Sequence, residues 1–229
     1  MPHSIKGIRS VQQAFRSLIL VISALPLVCA SALASEVSVT VRDRDGAPVK
    51  DVVVIARPLS GGDKSIDAIS PAAMDQVNRQ FAPFVIAVHT GTAVLFANSD
   101  SVAHQVYSFS AVRPFELGLY RGKPRSPILF DKPGVVVLGC NIHDNMVGYV
   151  YVTDAPRFGT TDASGRWARD LSAGEYAFEI WTPRQSGREQ DQKKTATVSS
   201  SASASIDFQF HNGLSPAPAP VREQKLRDY

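Results

Sequence analysis

Alternation of apolar and polar residues is the main local pattern after residue 35. It is clear in VSVTVR (37–42), HQVYSF (104–109) and SIDFQF (205–210), and short apolar runs occur at VVVIA (52–56) and VVVLG (135–139). Both patterns are typical of β-strands when turn residues bound them, and no long helical period occurs anywhere. The sequence therefore predicts an all-β fold.

Turn residues divide these strands into groups. Asp45-Gly46 lies between the strand at 37–42 and the run at 49–56, which predicts a β-hairpin. Leu59–Asn78 is rich in Gly, Ser, Asp and Pro, which indicates a linker between folded units, with a helical turn predicted at Ala72–Gln76. Closely spaced strands from Phe84 to Thr153 favour a sandwich or barrel. A second antiparallel set of strands follows.

The first 34 residues have the pattern of a cleaved export signal. Charge in residues 1–16 is only basic, residues 17–34 are apolar and interrupted by Pro26, and Ala32-Leu33-Ala34 supplies the small residues of a signal-peptidase site. We therefore expect a periplasmic protein whose mature chain starts near Ser35 and has no membrane attachment. The alternative is an uncleaved anchor, because the apolar run is close to the minimum spanning length.

Composition and charge exclude several classes of protein. The 229 residues are 44% hydrophobic and 20% charged, which is typical of a soluble globular chain. Three of the 24 basic residues lie in the signal segment, and the other 21 balance the 21 acidic residues. Because the mature chain has no excess of basic charge, we expect no nucleic-acid partner.

Removal of the signal segment also removes Cys29 and leaves Cys140 as the only cysteine. Cysteines of exported proteins normally form disulfides, so an unpaired cysteine requires an explanation. Cys140 is either a small buried apolar residue or a metal ligand.

Three potential metal ligands lie in one short loop between predicted strands, in the pattern Cys140-x2-His143-x2-Met146. His104 lies just after an earlier strand, and an antiparallel sandwich would bring that strand end beside the loop. Thiolate and thioether are soft donors that favour copper, and two His with one Cys and a weak axial Met form blue-copper sites. Each residue alone is more often structural, so the prediction depends on the set.

A catalytic role for the cysteine is disfavoured. Cys–His pairs occur in nucleophilic enzymes, but here no third member and no oxyanion loop are evident. We therefore expect a protein that is not an enzyme and has no catalytic residues.

Residues from about Phe84 to Thr153 resemble the cupredoxins, in particular plastocyanin and amicyanin. The resemblance lies in the Asn-containing loop FANSD (96–100), in His104 and in the loop at 140–146, whose short spacing is more similar to amicyanin. The segments FANSDSVAHQVYSF, FELGLY and GVVVLGCNIHDNMVGYVYV also resemble a group of exported proteobacterial proteins labelled methylamine utilization proteins. The resemblance implies a Greek-key β-sandwich at 79–153 that binds one type 1 copper, cycling between Cu(I) and Cu(II).

The resemblance also implies a role for each ligand. His104, Cys140 and His143 match the three equatorial copper ligands, and Met146 matches the axial one. His143 matches the ligand whose ring edge reaches the surface and transfers the electron. Two residues depart from the pattern, since Gln105 stands where many small cupredoxins have Asn, and Asp144 stands where plastocyanins and amicyanin have Pro. Neither change removes a ligand.

The flanking segments resemble a different module, the carboxypeptidase regulatory-like or transthyretin-like sandwich. VTVRDRDGAPVKDVVVIA (39–56) resembles its opening hairpin, and TTDASGRWARDLSAGEYAFEI (160–180) resembles its later part. This implies that the cupredoxin is inserted into a second, small β-sandwich. The predicted boundaries are 36–58 and 154–212 for that sandwich, 59–78 for the linker and 213–229 for a disordered tail. A simpler arrangement makes 36–57 an N-terminal extension of the cupredoxin sheet, with a separate C-terminal sandwich.

Three functions compete. The leading one is a periplasmic type 1 copper protein that carries single electrons between redox partners. The second is a copper-handling protein that holds Cu(I) with the same ligands and passes it on. The third is a structural β-sandwich whose copper site has decayed, and the intact ligand spacing argues against it.

One charged segment indicates a possible partner. Between residues 113 and 132 five basic residues stand against Glu116 and Asp131: Arg113, Arg121, Lys123, Arg125 and Lys132. Near the copper end they would steer an acidic redox partner, such as a c-type cytochrome or a periplasmic dehydrogenase. The alternative is a solvated loop without a partner.

Overall fold

The computed structural model describes residues 34–62, 64–66, 68–124, 126–185 and 192–218. Residues 1–33 of the predicted signal segment, which include Cys29, lie outside the described residues. Within the described residues the chain forms strands and no helix, which confirms the all-β prediction. The described residues therefore contain no helix that could cross a membrane. The strands are β1 Ala34–Arg42, β2 Val53–Gly61, β3 Ala72–Val77, β4 Gln80–Ala82, β5 Val85–His89, β6 Thr92–Phe96, β7 His104–Ser108, β8 Phe115–Tyr120, β9 Ile128–Phe130, β10 Gly134–Gly139, β11 Val147–Thr153, β12 Arg157–Thr160, β13 Arg166–Ser172, β14 Gly174–Trp181, β15 Gln192–Val198 and β16 Ala204–Gln209.

The first two and the last five strands form two facing sheets, which we call the outer sandwich. Their orders are β13-β1-β16 and β12-β2-β14-β15. Alternate residues of β1, namely Val37, Val39 and Val41, are fully buried between these sheets, together with Phe178 and Phe208. The alternation in the sequence thus marks the face of β1 that packs on the core.

The predicted hairpin between β1 and β2 forms only at its turn. Arg42 bridges Pro48, and the N–H groups of Asp43 and Val49 donate to the carbonyls of Ala47 and Val41, but the two strands do not pair beyond it. Asp51 then adopts a left-handed conformation, with φ of 60°, and β2 enters the opposite sheet. Both strands instead pair with strands late in the chain, β1 with β13 and β2 with β14. This long-range pairing is what an inserted domain would produce, although the predicted domain boundaries stay a prediction.

The remaining strands form the inner sandwich, with sheets β5-β11-β10-β7-β8 and β4-β3-β6-β9. Its core includes Phe96, Phe130, Val136, Leu138 and Val150. Strand β3 lies in the predicted linker, at the place of the predicted helical turn. It forms a strand because its hydrogen-bonding partners are the distant β6 and the short β4, which local composition does not reveal.

Strand β2 is buried on both faces. Val54 packs in the outer core, whereas Val53 and Ile55 pack against Val85 and Ala155 in a third cluster, the seam. The seam joins the outer sandwich to the β5–β11 side of the inner one. This explains why VVVIA is a continuous apolar run rather than an alternating one.

The predicted disordered tail begins at 213, and the structure describes it as far as 218. Leu214 packs against the outer core, and Ser215 exchanges two hydrogen bonds of 2.8 Å with Arg184. The described part of the tail is therefore in contact with the fold, and residues 219–229 lie outside the described residues.

Candidate metal centre

Two strand ends of one sheet bring the predicted ligands together. His104 is the first residue of β7, and Cys140 directly follows β10. These strands are antiparallel, with Gly139 opposite Tyr107, so the chain that leaves β10 runs back along β7 toward His104. His143 and Met146 lie in the loop that leads into β11.

Three of the predicted ligands form a tight group. The donor atoms of His104, Cys140 and His143 all lie within 4.8 Å of one another. Cys140 Sγ is 3.9 Å from His104 Nδ1, and the two imidazole centroids are 5.0 Å apart. His104 and Cys140 are 0% and 3% exposed, whereas His143 is partly exposed. The thiol of Cys140 is free, as the sequence predicts.

Met146 is buried at the end of the same loop, with 1% of its surface exposed. It belongs to the apolar cluster that contains Cys140. Its backbone N–H donates a 2.9 Å hydrogen bond to the carbonyl of His143, which closes the loop into a tight turn. The axial role of Met146 stays a prediction.

One candidate metal-ligating nitrogen of the site has no hydrogen-bond partner. Nδ1 of His143 is buried and has no hydrogen-bond partner. A buried polar atom without a partner is unfavourable, and it calls for an ion or a water at that position. With a second imidazole nitrogen and a thiol sulfur beside it, the donor set fits a soft metal ion such as copper.

Asp100 completes the surroundings of His104. Its Oδ2 lies 2.9 Å from His104 Nε2 and 2.8 Å from the N–H of Arg79, and its Oδ1 accepts the N–H of Ser101. Burial raises the pKa of the Asp100 carboxyl, but these hydrogen bonds outweigh burial and hold the pKa below its ordinary value. Asp100 is therefore a carboxylate at neutral pH. Its Asp-x3-His spacing is too common in sequences to predict this contact.

A buried polar network holds the loop between β6 and β7. Asn98 donates to the carbonyls of Val102 and Tyr120, and Gln76 donates to the Tyr120 hydroxyl and to the carbonyl of Ala97. Burial raises the pKa of Tyr120 well above its usual value, so this hydroxyl stays protonated and donates to the backbone. The loop between β6 and β7, which directly precedes His104, is thus held by several hydrogen bonds.

The loop that holds His143 reaches the surface. Ile142 is 49% exposed, and Asn141 and Asp144 are also exposed. Gln105, which departs from the cupredoxin pattern, accepts a 2.9 Å hydrogen bond from Asn141 and donates one to Glu116. This chain of hydrogen bonds ties the ligand loop to β7 and β8.

The basic segment divides between the two ends of the inner sandwich. Tyr120 is opposite His104, and Gly122 bridges Asn98, so exposed Arg121 and Lys123 lie at the ligand end. Lys132 precedes β10 and lies at the far end. Arg113 also lies at the far end, since it precedes β8, and Arg125 lies outside the described residues.

Comparison with known proteins gives matches in structure only. No protein-family model and no curated protein sequence matches this chain. A purple cupredoxin from Nitrosopumilus maritimus is similar over 36% of this chain and 99% of its own, with 24% identity and a TM-score of 0.33. A Cu-containing nitrite reductase from Thermus scotoductus SA-01 is similar over 42% of this chain and 25% of its own, with 28% identity and a TM-score of 0.35. A reduced amicyanin mutant is similar over 43% and 99%, with 19% identity and a TM-score of 0.32.

Proposed function

We propose that this chain is a periplasmic type 1 copper protein of the cupredoxin kind, which carries single electrons between redox partners. The observation that supports this most strongly is the convergence of His104, Cys140 and His143 within 4.8 Å, with Nδ1 of His143 buried and unpartnered. Zinc rarely takes a thioether, whereas copper favours the thiolate and thioether that Cys140 and Met146 offer.

Each residue has a distinct role in this proposal. Bound copper would supply the one-electron couple between Cu(II) and Cu(I). His104, Cys140 and His143 would hold it as equatorial ligands, and the buried sulfur of Met146 would be the weak axial donor. Of the three equatorial ligands only His143 is partly exposed, so its ring edge is the route by which an electron leaves or enters.

Rigidity of the site favours fast electron exchange. His104 and Cys140 lie at the ends of adjacent strands, and buried side chains such as Asn98 and Gln76 fix the loop before His104. A site fixed in this way offers nearly the same geometry to both oxidation states. Little rearrangement then accompanies each electron transfer.

Burial of the ligands favours a carrier over a catalyst or a copper-handling protein. His104, Cys140 and Met146 are 0%, 3% and 1% exposed. A catalytic metal site keeps a position open for substrate, and a protein that passes on its metal must expose the donor atoms. We therefore propose electron transfer rather than enzymatic activity or copper delivery.

The partner that we propose is an acidic redox protein, such as a c-type cytochrome or a periplasmic dehydrogenase. Arg121 and Lys123 lie exposed at the ligand end, where they would attract negative charge near His143. The exposed apolar side chain of Ile142 lies beside this histidine and would form the dry centre of the contact.

Voltammetry in the presence of a Cu(I) chelator, such as bicinchoninate, tests this function. The copper-loaded protein is expected to give a reversible one-electron wave and to keep its copper through repeated cycles. Met146→Ala is the matched control, because loss of the buried thioether should open the site and speed copper loss. Rapid transfer of Cu(I) from the unaltered protein to the chelator would instead identify a copper-handling protein.

A further inference from the structure

The fully buried imidazole of His104 has different neighbours on its two nitrogens. Nε2 lies 2.9 Å from Oδ2 of Asp100, four residues earlier in the chain. Nδ1 lies 3.9 Å from Sγ of Cys140 and faces the other ligands. A neutral imidazole carries one proton, so its position decides which nitrogen can bind a metal ion.

We propose that Asp100 is a positioning residue that holds the proton of His104 on Nε2 and thereby keeps Nδ1 free for the metal. An ionised carboxylate only accepts hydrogen bonds, so the group opposite it must be a donor. With Nε2 as the donor, the lone pair of Nδ1 points toward Cys140. The same contact fixes the rotation of the ring.

Asp100 can do this because it is itself held in place. Oδ2 also accepts the N–H of Arg79, Oδ1 accepts the N–H of Ser101, and the Asp100 N–H donates to Asn98 Oδ1. Each carboxylate oxygen of Asp100 therefore accepts a backbone N–H, and the two hydrogen bonds hold the carboxylate in one orientation. Only 12% of the Asp100 side chain is exposed, so water competes little for these bonds.

The β3–β4 hairpin is part of the arrangement. Its turn residues Asn78 and Arg79 have φ values of 53° and 60°, the left-handed conformations of a tight hairpin turn. This turn aims the N–H of Arg79 at Asp100. The residue directly after the predicted linker therefore contacts Asp100, which in turn contacts His104.

The charge of Asp100 also has a consequence for the metal, which depends on the proposed copper function. A carboxylate on the outer nitrogen makes the imidazole a stronger donor and adds negative charge near the ion. Both effects stabilise Cu(II) relative to Cu(I). Removing the charge by Asp100→Asn should shift the preference toward Cu(I) about tenfold, which raises the potential by about 59 mV for one electron.

The first test uses the copper-free protein, so it does not depend on the copper function. Long-range 15N–1H NMR spectra of the histidine rings distinguish the two tautomers directly. We expect a protonated Nε2 and a bare Nδ1 at His104, and loss of this single tautomer in Asp100→Ala. A proton on Nδ1 in the unaltered protein, or an unchanged tautomer in Asp100→Ala, would overturn the proposal.

The second test is the reduction potential of the copper-loaded variants. Asp154→Asn is the matched control, since it removes the same charge from an exposed aspartate that follows β11 at the end away from the ligand loop. If Asp100→Ala does not fold, the tautomer of His104 in the unaltered protein decides the proposal, and a potential of Asp100→Asn no higher than that of Asp154→Asn would contradict the effect of the Asp100 charge. If the unaltered protein forms no type 1 site, the proposed function fails, while the NMR test still decides the role of Asp100.

Discussion

At the scale of single residues, the candidate ligands can be predicted from the sequence, because the prediction depends only on residue types and their spacing. Cys140, the one cysteine outside the predicted signal segment, is followed at fixed spacing by His143 and Met146, and this set favours a soft metal site. The structure brings the two histidines and Cys140 together as this prediction requires. Asp100 could not be predicted in the same way, because its effect depends on a contact with Nε2 that only the folded loop creates.

Met146 sets the reduction potential in this account. Met146→Gln replaces the thioether by a harder amide oxygen, which stabilises Cu(II) relative to Cu(I). We expect the variant to keep copper, to change colour and to have a potential lower by about 59 mV for each tenfold change in that preference. Voltammetry and visible absorption measure both effects. An unchanged potential would show that the sulfur of Met146 is not an axial ligand.

At the scale of the elements, the turn between β12 and β13 packs closely against the end of β1 at one glycine. Gly165 has φ of 73°, and an added Cβ would lie 2.5 Å from the carbonyl oxygen of Val41 in β1. We expect Gly165→Ala to lower the free energy of unfolding by about 2–3 kcal/mol, from backbone strain and from this clash. Urea unfolding measures the difference.

Gly46→Ala is the control for that experiment. Gly46 has a similar φ of 85°, but an added Cβ would have no atom within 4 Å. This variant should lose only about 1 kcal/mol, since it suffers the strain without the clash. Equal losses in the two variants would contradict the role that we assign to the contact with Val41.

The elements also show why local patterns predict strands better than their partners. Apolar alternation predicts β1 and β16 correctly, because each has one face on the outer core. The same pattern cannot show that β1 pairs with β13, more than a hundred residues later, rather than with β2. Strand β3 is missed for a related reason, since its partner β6 lies beyond the reach of local composition.

At the scale of the whole molecule, the seam couples the two sandwiches. Trp181 of β14 packs on Tyr149 and Tyr151 of β11, with ring centroids 6.0 and 5.2 Å apart. We expect Trp181→Ala to lower the free energy of unfolding by about 2 kcal/mol, below the range for a fully buried tryptophan because this one is partly exposed. The metal site should keep its spectrum, because none of these residues contacts it.

Phe109 provides the control for the seam, as an aromatic residue that is 84% exposed. Phe109→Ala should change the free energy of unfolding by less than about 0.5 kcal/mol. Denaturant titrations followed by circular dichroism compare the two variants. A loss in Trp181→Ala as small as that in Phe109→Ala would show that the seam does not stabilise the fold.

Charge at the ligand end should govern encounters with redox partners. Oxidation of the reduced copper protein by ferricyanide, an anion, is expected to slow about two- to fivefold between about 0.01 M and 0.15 M salt. Arg121→Glu should slow it at low salt, whereas Lys132→Glu, at the far end, should have little effect. Equal effects of the two variants would contradict the proposed steering of acidic partners.

The most direct test of the central claim is visible absorption with electron paramagnetic resonance on the Cu(II)-loaded protein, before and after ascorbate. The account predicts an intense thiolate-to-copper band and narrow copper hyperfine splitting, both lost on reduction, restored by an oxidant and absent from Cys140→Ser. A colourless Cu(II) protein, or a Cys140→Ser variant that keeps the band, would contradict a type 1 site at these residues.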